Sequence, residues 1–182
     1  RHDPINSLEF ISIHSAFNQN KVKIEEVSES GNVNELLATN LSNDYIFIMD
    51  GDILKGAKQN RVSNTSIYMA PNKKYFIPVS CVEQGRWRYD SNFFHLSDEI
   101  VNKQMRFSKN QDIYKKRKAS KRSKHSANQS RVWDNVSYSL NACEITSESD
   151  SYSDIHIAKR KDFNKMIDKL KLNQGANGLA YF

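Results

Sequence analysis

Residues 50–87 read DGDILKGAKQNRVSNTSIYMAPNKKYFIPVSCVEQGRW, and the parsing of this stretch decides the fold. Thr65–Met69 and Tyr75–Ser80 are rich in β-branched and aromatic residues and are bounded by turn formers, which reads as strands. Ala70-Pro71-Asn72-Lys73-Lys74 between them reads as a hairpin connection. Pro78 has no N–H to give to a ladder, so it predicts an edge position or a bulge. Asp50-Gly51-Asp52 supplies a turn, because aspartate closes its own backbone and glycine accepts positive φ.

Upstream the same β character continues. Leu8–His14 (LEFISIH) is apolar and β-branched, and Lys21–Val27 (KVKIEEV) places Val22 and Ile24 on one face by alternation. Tyr45–Met49 (YIFIM) is a continuous apolar run, short enough for a strand buried on both faces. Downstream the period changes. Val132, Trp133, Val136 and Leu140 recur at helical spacing with Ser130 placed as an N-cap, and Phe163, Met166, Ile167 and Leu170 do the same. Asp98–Ile113 is a weaker helical candidate, and Gly175–Phe182 reads as a strand entered through a glycine turn. The expected fold class is α+β, as a single domain over residues 1–182. An antiparallel sheet or sandwich covers residues 8–90, helices from residues 98–171 pack on it, and a final strand covers residues 175–182.

Within the opening stretch, Gly56-Ala57-Lys58-Gln59-Asn60-Arg61 packs small residues, two cations and two amides together. Lys58 and Arg61 suit an anionic group, Arg61 bidentately. Gln59 and Asn60 offer donors and acceptors that read a polar edge. The alternative is a polar turn whose amides satisfy local backbone. The GxxxxGK[ST] spacing of a P-loop is absent. Further on, alternation puts Cys81 and Glu83 on one face. Glu83 is a candidate general base and Cys81 a candidate nucleophile, against the alternatives of a structural salt bridge and a small buried thiol. Gln84, Arg86 and Trp87 complete the candidate ligand-binding set, Trp87 by stacking or, as the alternative, by core packing. The five histidines lack metal-ligand spacing.

The net charge of +6 has one source. Lys115–Lys124 (KKRKASKRSK) carries seven cations, and without them 20 basic side chains face 21 acidic ones. Lys115, Lys116, Arg117, Lys118, Lys121, Arg122 and Lys124 are therefore an alternative, nucleic-acid-binding set acting through phosphate neutralisation. Only Tyr114 adjoins them for stacking. Lacking apolar periodicity, the tract reads as a mobile solvated loop over residues 115–129. Cys81 and Cys143 lie far apart with no disulfide framework, which predicts free thiols in a reducing compartment and a cytoplasmic location. No apolar run approaches bilayer length, and no signal peptide is read after Arg1.

The residues Asp50-Gly51, Gly56–Arg61, Asn64–Ser66 and Pro78–Trp87 together resemble the domain family named for its association with ADP-ribosylglycohydrolases and rhodanese-phosphatases. Asp52 stands where that family often has Glu. Val132-Trp133-Asp134 is similar to its later tryptophan helix, and Gln174-Gly175-Ala176-Asn177-Gly178 to its terminal turn, past which the family usually continues. The resemblance implies a nucleotide-derived ligand, related to ADP-ribose or NAD, and specifies no cofactor. Three readings follow. The first is binding or processing of such a ligand at GAKQNR and VSCVEQGRW. The second is nucleic-acid binding through the basic tract. The third is a non-catalytic module in which the two motifs form a hydrogen-bonded corner.

Overall fold

The computed structural model describes residues 9–120 and 125–169. Nine strands precede three longer helices, with one short helix near the start. A small sheet joins β1 (Phe10–Ser12), β4 (Tyr45–Ile48) and β7 (Ile67–Met69) in the order β1-β4-β7, with β1 parallel to β4. The larger sheet is antiparallel: β2 (Val22–Glu26), β3 (Glu35–Asn40), β8 (Lys74–Cys81), β6 (Arg61–Ser63), β5 (Asp52–Gly56) and β9 (Phe94–Ile100). It curls as a half-barrel, its end strands β2 and β9 in contact and α1 (Ile13–Asn18) touching both. The fold is α+β as expected, but the sandwich alternative is not formed, because the large sheet bends round on itself.

Several local readings are corrected. The Leu8–His14 run stops as a strand at Ser12, whose Oγ accepts from the Ser15 N–H at 3.1 Å and starts α1. Tyr45–Ile48 buries only Ile46 and Ile48 and turns Tyr45 outward, so it is covered on one face. The Ala70–Lys74 link is no hairpin: β7 pairs with β4, while β8 pairs with β3 and β6. β8 is central, not an edge. Pro78 sits where its partner changes, Lys74–Pro78 lying against β3 and Val79–Cys81 against β6. A proline is tolerated there because the ladder is being handed over.

The helices are α2 (Lys103–Ala119), α3 (Gln129–Ala142) and α4 (Ser153–Lys169). Asp98–Ile113 is not one helix, since β9 runs to Ile100 and Asn102 caps α2 by accepting from the Met105 N–H. α2 then carries Lys115–Ala119, so the first half of the basic tract is helical rather than loop. Asn128, not Ser130, caps α3. The expected final strand and Leu170 lie outside the described residues. So do Lys121, Arg122 and Lys124.

Two apolar clusters form the core. One lies inside the half-barrel and includes Ile24, Leu36, Ile48, Leu54 and Ile77. The other, with Ile53, Val62, Met105, Val136 and Leu140, packs the helices against the far side of β5 and β6. The alternation of side chains along a strand places adjacent Ile53 and Leu54 in different clusters.

Candidate functional site

GAKQN is the loop of the β5–β6 hairpin. Gly56 has φ +114°, and a Cβ there would lie 2.4 Å from Ser91 Oγ and 2.9 Å from the Phe93 carbonyl oxygen, so only glycine fits. Ala57 follows at φ +43° and donates its N–H to Ser91 Oγ at 3.0 Å. Asn60 Oδ1 closes the loop by accepting from the Gly56 N–H at 3.1 Å.

Glu83 lies beneath this loop, just past the end of β8. Its carboxylate accepts from the Asn60 N–H (2.9 Å), Arg86 Nε (2.9 Å), Arg86 Nη2 (2.7 Å) and Ser149 Oγ (2.9 Å). Burial pushes its carboxyl pKa up, but the hydrogen bonds from Arg86, Asn60 and Ser149 outweigh this and hold it below the usual range. Arg86 donates in turn to the Ala57 carbonyl at 2.7 Å, the Arg88 carbonyl at 3.1 Å and Asn60 Oδ1 at 3.3 Å. Every N–H of this guanidinium is therefore directed at protein acceptors.

Arg61 is fully buried on β6, opposite Cys81 of β8. Its Nη1 donates to Gln59 Oε1 at 2.9 Å and meets Cys81 Sγ at 2.7 Å, while Nη2 lies 3.5 Å from Glu26 Oε1. Burial pushes the Cys81 thiol up to about 11, against the opposing pull of Arg61, so it is a protonated thiol at neutral pH. The Trp87 ring covers both cations, its centroid 5.5 Å from the Arg61 guanidinium and 5.6 Å from Lys58 Nζ. Lys58 also lies 5.0 Å over the Tyr89 ring and has no carboxylate partner among the described residues. Gln59 Nε2 reaches the Gln84 carbonyl at 3.4 Å, and the Gln84 side chain is exposed.

The nine residues expected as a site thus divide among three places. Glu83, Arg86 and Asn60 make one closed corner. Arg61, Gln59 and Cys81 make a second, with Glu26. Lys58, Gln84 and Trp87 stand at the surface, Lys58 half-buried and Trp87 48% exposed. The basic tract is separate. Lys115 and Lys118 are exposed on α2, whereas Lys116 donates to the Ala127 carbonyl and Arg117 contacts His125.

Two groups were missed from sequence. Asp50 accepts from Lys109 Nζ at 2.9 Å and from Asn110 Nδ2 at 2.8 Å, with Arg106 Nε at 3.5 Å. This joins the acidic turn to α2. Lys109 is buried, which pulls its ammonium pKa down against the opposing effect of Asp50. Gln129, the first residue of α3, exchanges two hydrogen bonds with the Cys81 backbone, at 2.9 and 2.8 Å. Both partners come from helices far along the chain, so no local pattern announces them.

Outside the corners lie two adjoining cavities that share Arg86 and Ser149. One, of about 330 Å³, is polar and is lined by Lys55, Asn60, Asp90, His95, Ser153 and Asp154 among others. The second, of about 520 Å³, is bounded by Trp87, Arg88 and Glu148. Ser153 Oγ, in the first, is buried without a hydrogen-bond partner. The described residues contain no cluster of three or more metal-ligating side chains and no helix long and apolar enough to cross a membrane.

The family model ARPP-1, described as the ARG and Rhodanese-Phosphatase-superfamily-associated Protein domain, matches residues 1–182. The chain belongs to this family. No curated protein and no solved structure matches it. In this ARPP-1 domain the GAKQNR and CVEQGRW segments are therefore tied together through Asn60, Glu83 and Arg86, and the groove runs over that tie.

Proposed function

We propose that this domain is a binding module for a nucleotide-derived ligand of the ADP-ribose or NAD kind, held in the groove over Arg86 and Ser149. The supporting observation is that the groove has two chemically different ends. At one end a half-exposed Trp87 stands beside Arg88, whose guanidinium has no carboxylate partner among the described residues. At the other are the carboxylates Asp90 and Asp154, the His95 imidazole and the unpartnered Ser153 hydroxyl.

A nucleotide has matching parts. Its base stacks on Trp87, Arg88 holds phosphate, and ribose hydroxyls donate to Asp90 and meet His95 and Ser153. Lys58, over the Trp87 ring, adds positive charge nearby. Glu83, Arg86, Asn60, Gln59 and Arg61 build and hold the floor, Gln84 contributing its backbone carbonyl to Gln59. Binding is favoured over catalysis because Glu83 already accepts four hydrogen bonds and Cys81 is a buried, protonated thiol. The association in the family's description points to the same ligand class.

Titration calorimetry with ADP-ribose, NAD and AMP tests the reading. One saturable site is expected, lost in Trp87→Ala. Arg88→Ala should weaken it by about ten-fold or more, the worth of one charge-assisted hydrogen bond. Flat titrations with all three compounds would sink the proposal. Arg61→Ala is a poor test, since it removes a buried side chain and damages the fold.

A further inference from the structure

Helix α2 buries Met105, Lys109, Asp112 and Ile113 on its inner side. On its outer side Phe107 and Tyr114 are 65% and 67% exposed. They are seven residues apart, two helical turns, so the rings share one stripe about 10 Å apart along the axis. Neither ring has an aromatic partner among the described residues. Lys103, Gln111 and Lys118 lie on the same stripe and are exposed. Cations thus bracket two rings and an amide along a single helix face. The charge there is uncompensated. Asp112 is the one acidic residue of α2, and it is buried against Arg131. Lys103, Lys115 and Lys118 have no carboxylate partner among the described residues. A solvated helix face is ordinarily laced with charges of both signs. The helix dipole accounts for cations in the last turn, where Lys118 lies, but disfavours Lys103 in the first. It gives no reason for two exposed rings.

We propose that this face of α2 is a docking surface for single-stranded nucleic acid. Lys103, Lys115 and Lys118 neutralise phosphates, and Phe107 and Tyr114 stack on unpaired bases. Gln111, between the rings, offers its amide to a base edge. The ring spacing matches three stacked nucleotides at about 3.4 Å each. Charge complementarity selects a polyanion. The rings select one with unpaired bases over a duplex, whose bases are already stacked on each other. An acidic membrane is disfavoured, because the aliphatic residues Met105 and Ile113 are turned into the fold. That leaves two rings where lipid binding needs a continuous apolar face. The surface shares no residue with the groove over Arg86 and Ser149, so it stands independently of the ligand proposed there.

The test is fluorescence anisotropy of the whole chain with labelled oligo-uridine and oligo-deoxythymidine of about ten nucleotides. A duplex of the same length and sedimentation with phosphatidylserine vesicles serve as comparisons. Single-strand binding is expected, and the sugar that binds tighter names the natural class. Affinity should fall about 20-fold between 50 and 200 mM salt, the dependence for three neutralised phosphates on a single strand. Phe107→Ala and Tyr114→Ala should each weaken binding about five-fold or more. Lys103→Gln combined with Lys118→Gln should reduce the salt slope by about 1.4. These positions are exposed, so the urea midpoint should stay at the parent value. Lys161→Gln combined with Lys165→Gln, a charge-matched change on α4, should leave affinity and slope close to the parent's. No single-strand binding at the lower salt, or binding that survives loss of both rings, would overturn the proposal. So would an equal loss in the α4 control, or tighter binding to duplex or vesicles.

Discussion

Glu83 carries the corner electrostatically, and its titration makes that visible. Its side chain is 6% exposed and Arg86 is 13% exposed, so the pair is shielded from solvent. Glu83→Ala would leave the Arg86 guanidinium without its counter-charge, at an expected cost of about 3–5 kcal/mol in urea unfolding. The pH dependence has a fixed sign. The folded carboxyl pKa lies below the ordinary glutamate value of 4.5, so its contribution is complete above that value and is lost as pH falls through the lower, folded pKa. Glu83→Gln should therefore flatten part of the acid limb of stability against pH, below about pH 5. If the variant loses stability in acid as steeply as the parent, the carboxylate is not what holds this corner.

Among the elements, α2 depends most on one contact. Lys109 reaches from the middle of the helix to Asp50 and the Ser63 carbonyl, both in the β half. Lys109→Met keeps the aliphatic stem but strands Asp50 with only Asn110 and the 3.5 Å contact to Arg106. An expected loss of about 3–5 kcal/mol follows from breaking a buried pair on one side only. A cost below 1 kcal/mol would mean that Arg106 takes over. This contact also shows what sequence could and could not reveal. The strands β2 and β8 and the helix α3 were legible because alternation and helical spacing are local signals. β3, β5, β6 and β9 were not read, since Glu35–Asn40 mixes polar with apolar residues and β6 is only three residues long. The candidate residues were legible as a cluster in sequence. Their division into two closed corners was not, because Glu26, Ser149 and Gln129 meet them only through tertiary contact.

At the scale of the molecule, the question is whether the half-barrel and the helical layer unfold together. Their apolar clusters are separate, which alone would permit two transitions. β5 opposes that separation. Ile53 faces the helical cluster and Leu54 the half-barrel, one peptide bond apart on a single strand, and both are fully buried. Gln129 and Lys109 add polar ties from α3 and α2 to β8 and to the Asp50 turn. Neither cluster can lose its wall without exposing the other, so one cooperative transition is expected. The two tryptophans make this measurable: Trp87 stands beside the half-barrel cation Arg61, and Trp133 lies on α3. Urea curves from single-tryptophan variants, Trp133→Phe and Trp87→Phe, should each coincide with the circular-dichroism curve of the same protein. Ile53→Ala and Leu54→Ala should each lower the shared midpoint, by about 2–5 kcal/mol in free energy. A fluorescence midpoint at Trp133 that precedes the loss of β signal would instead show that the helical layer opens as its own unit.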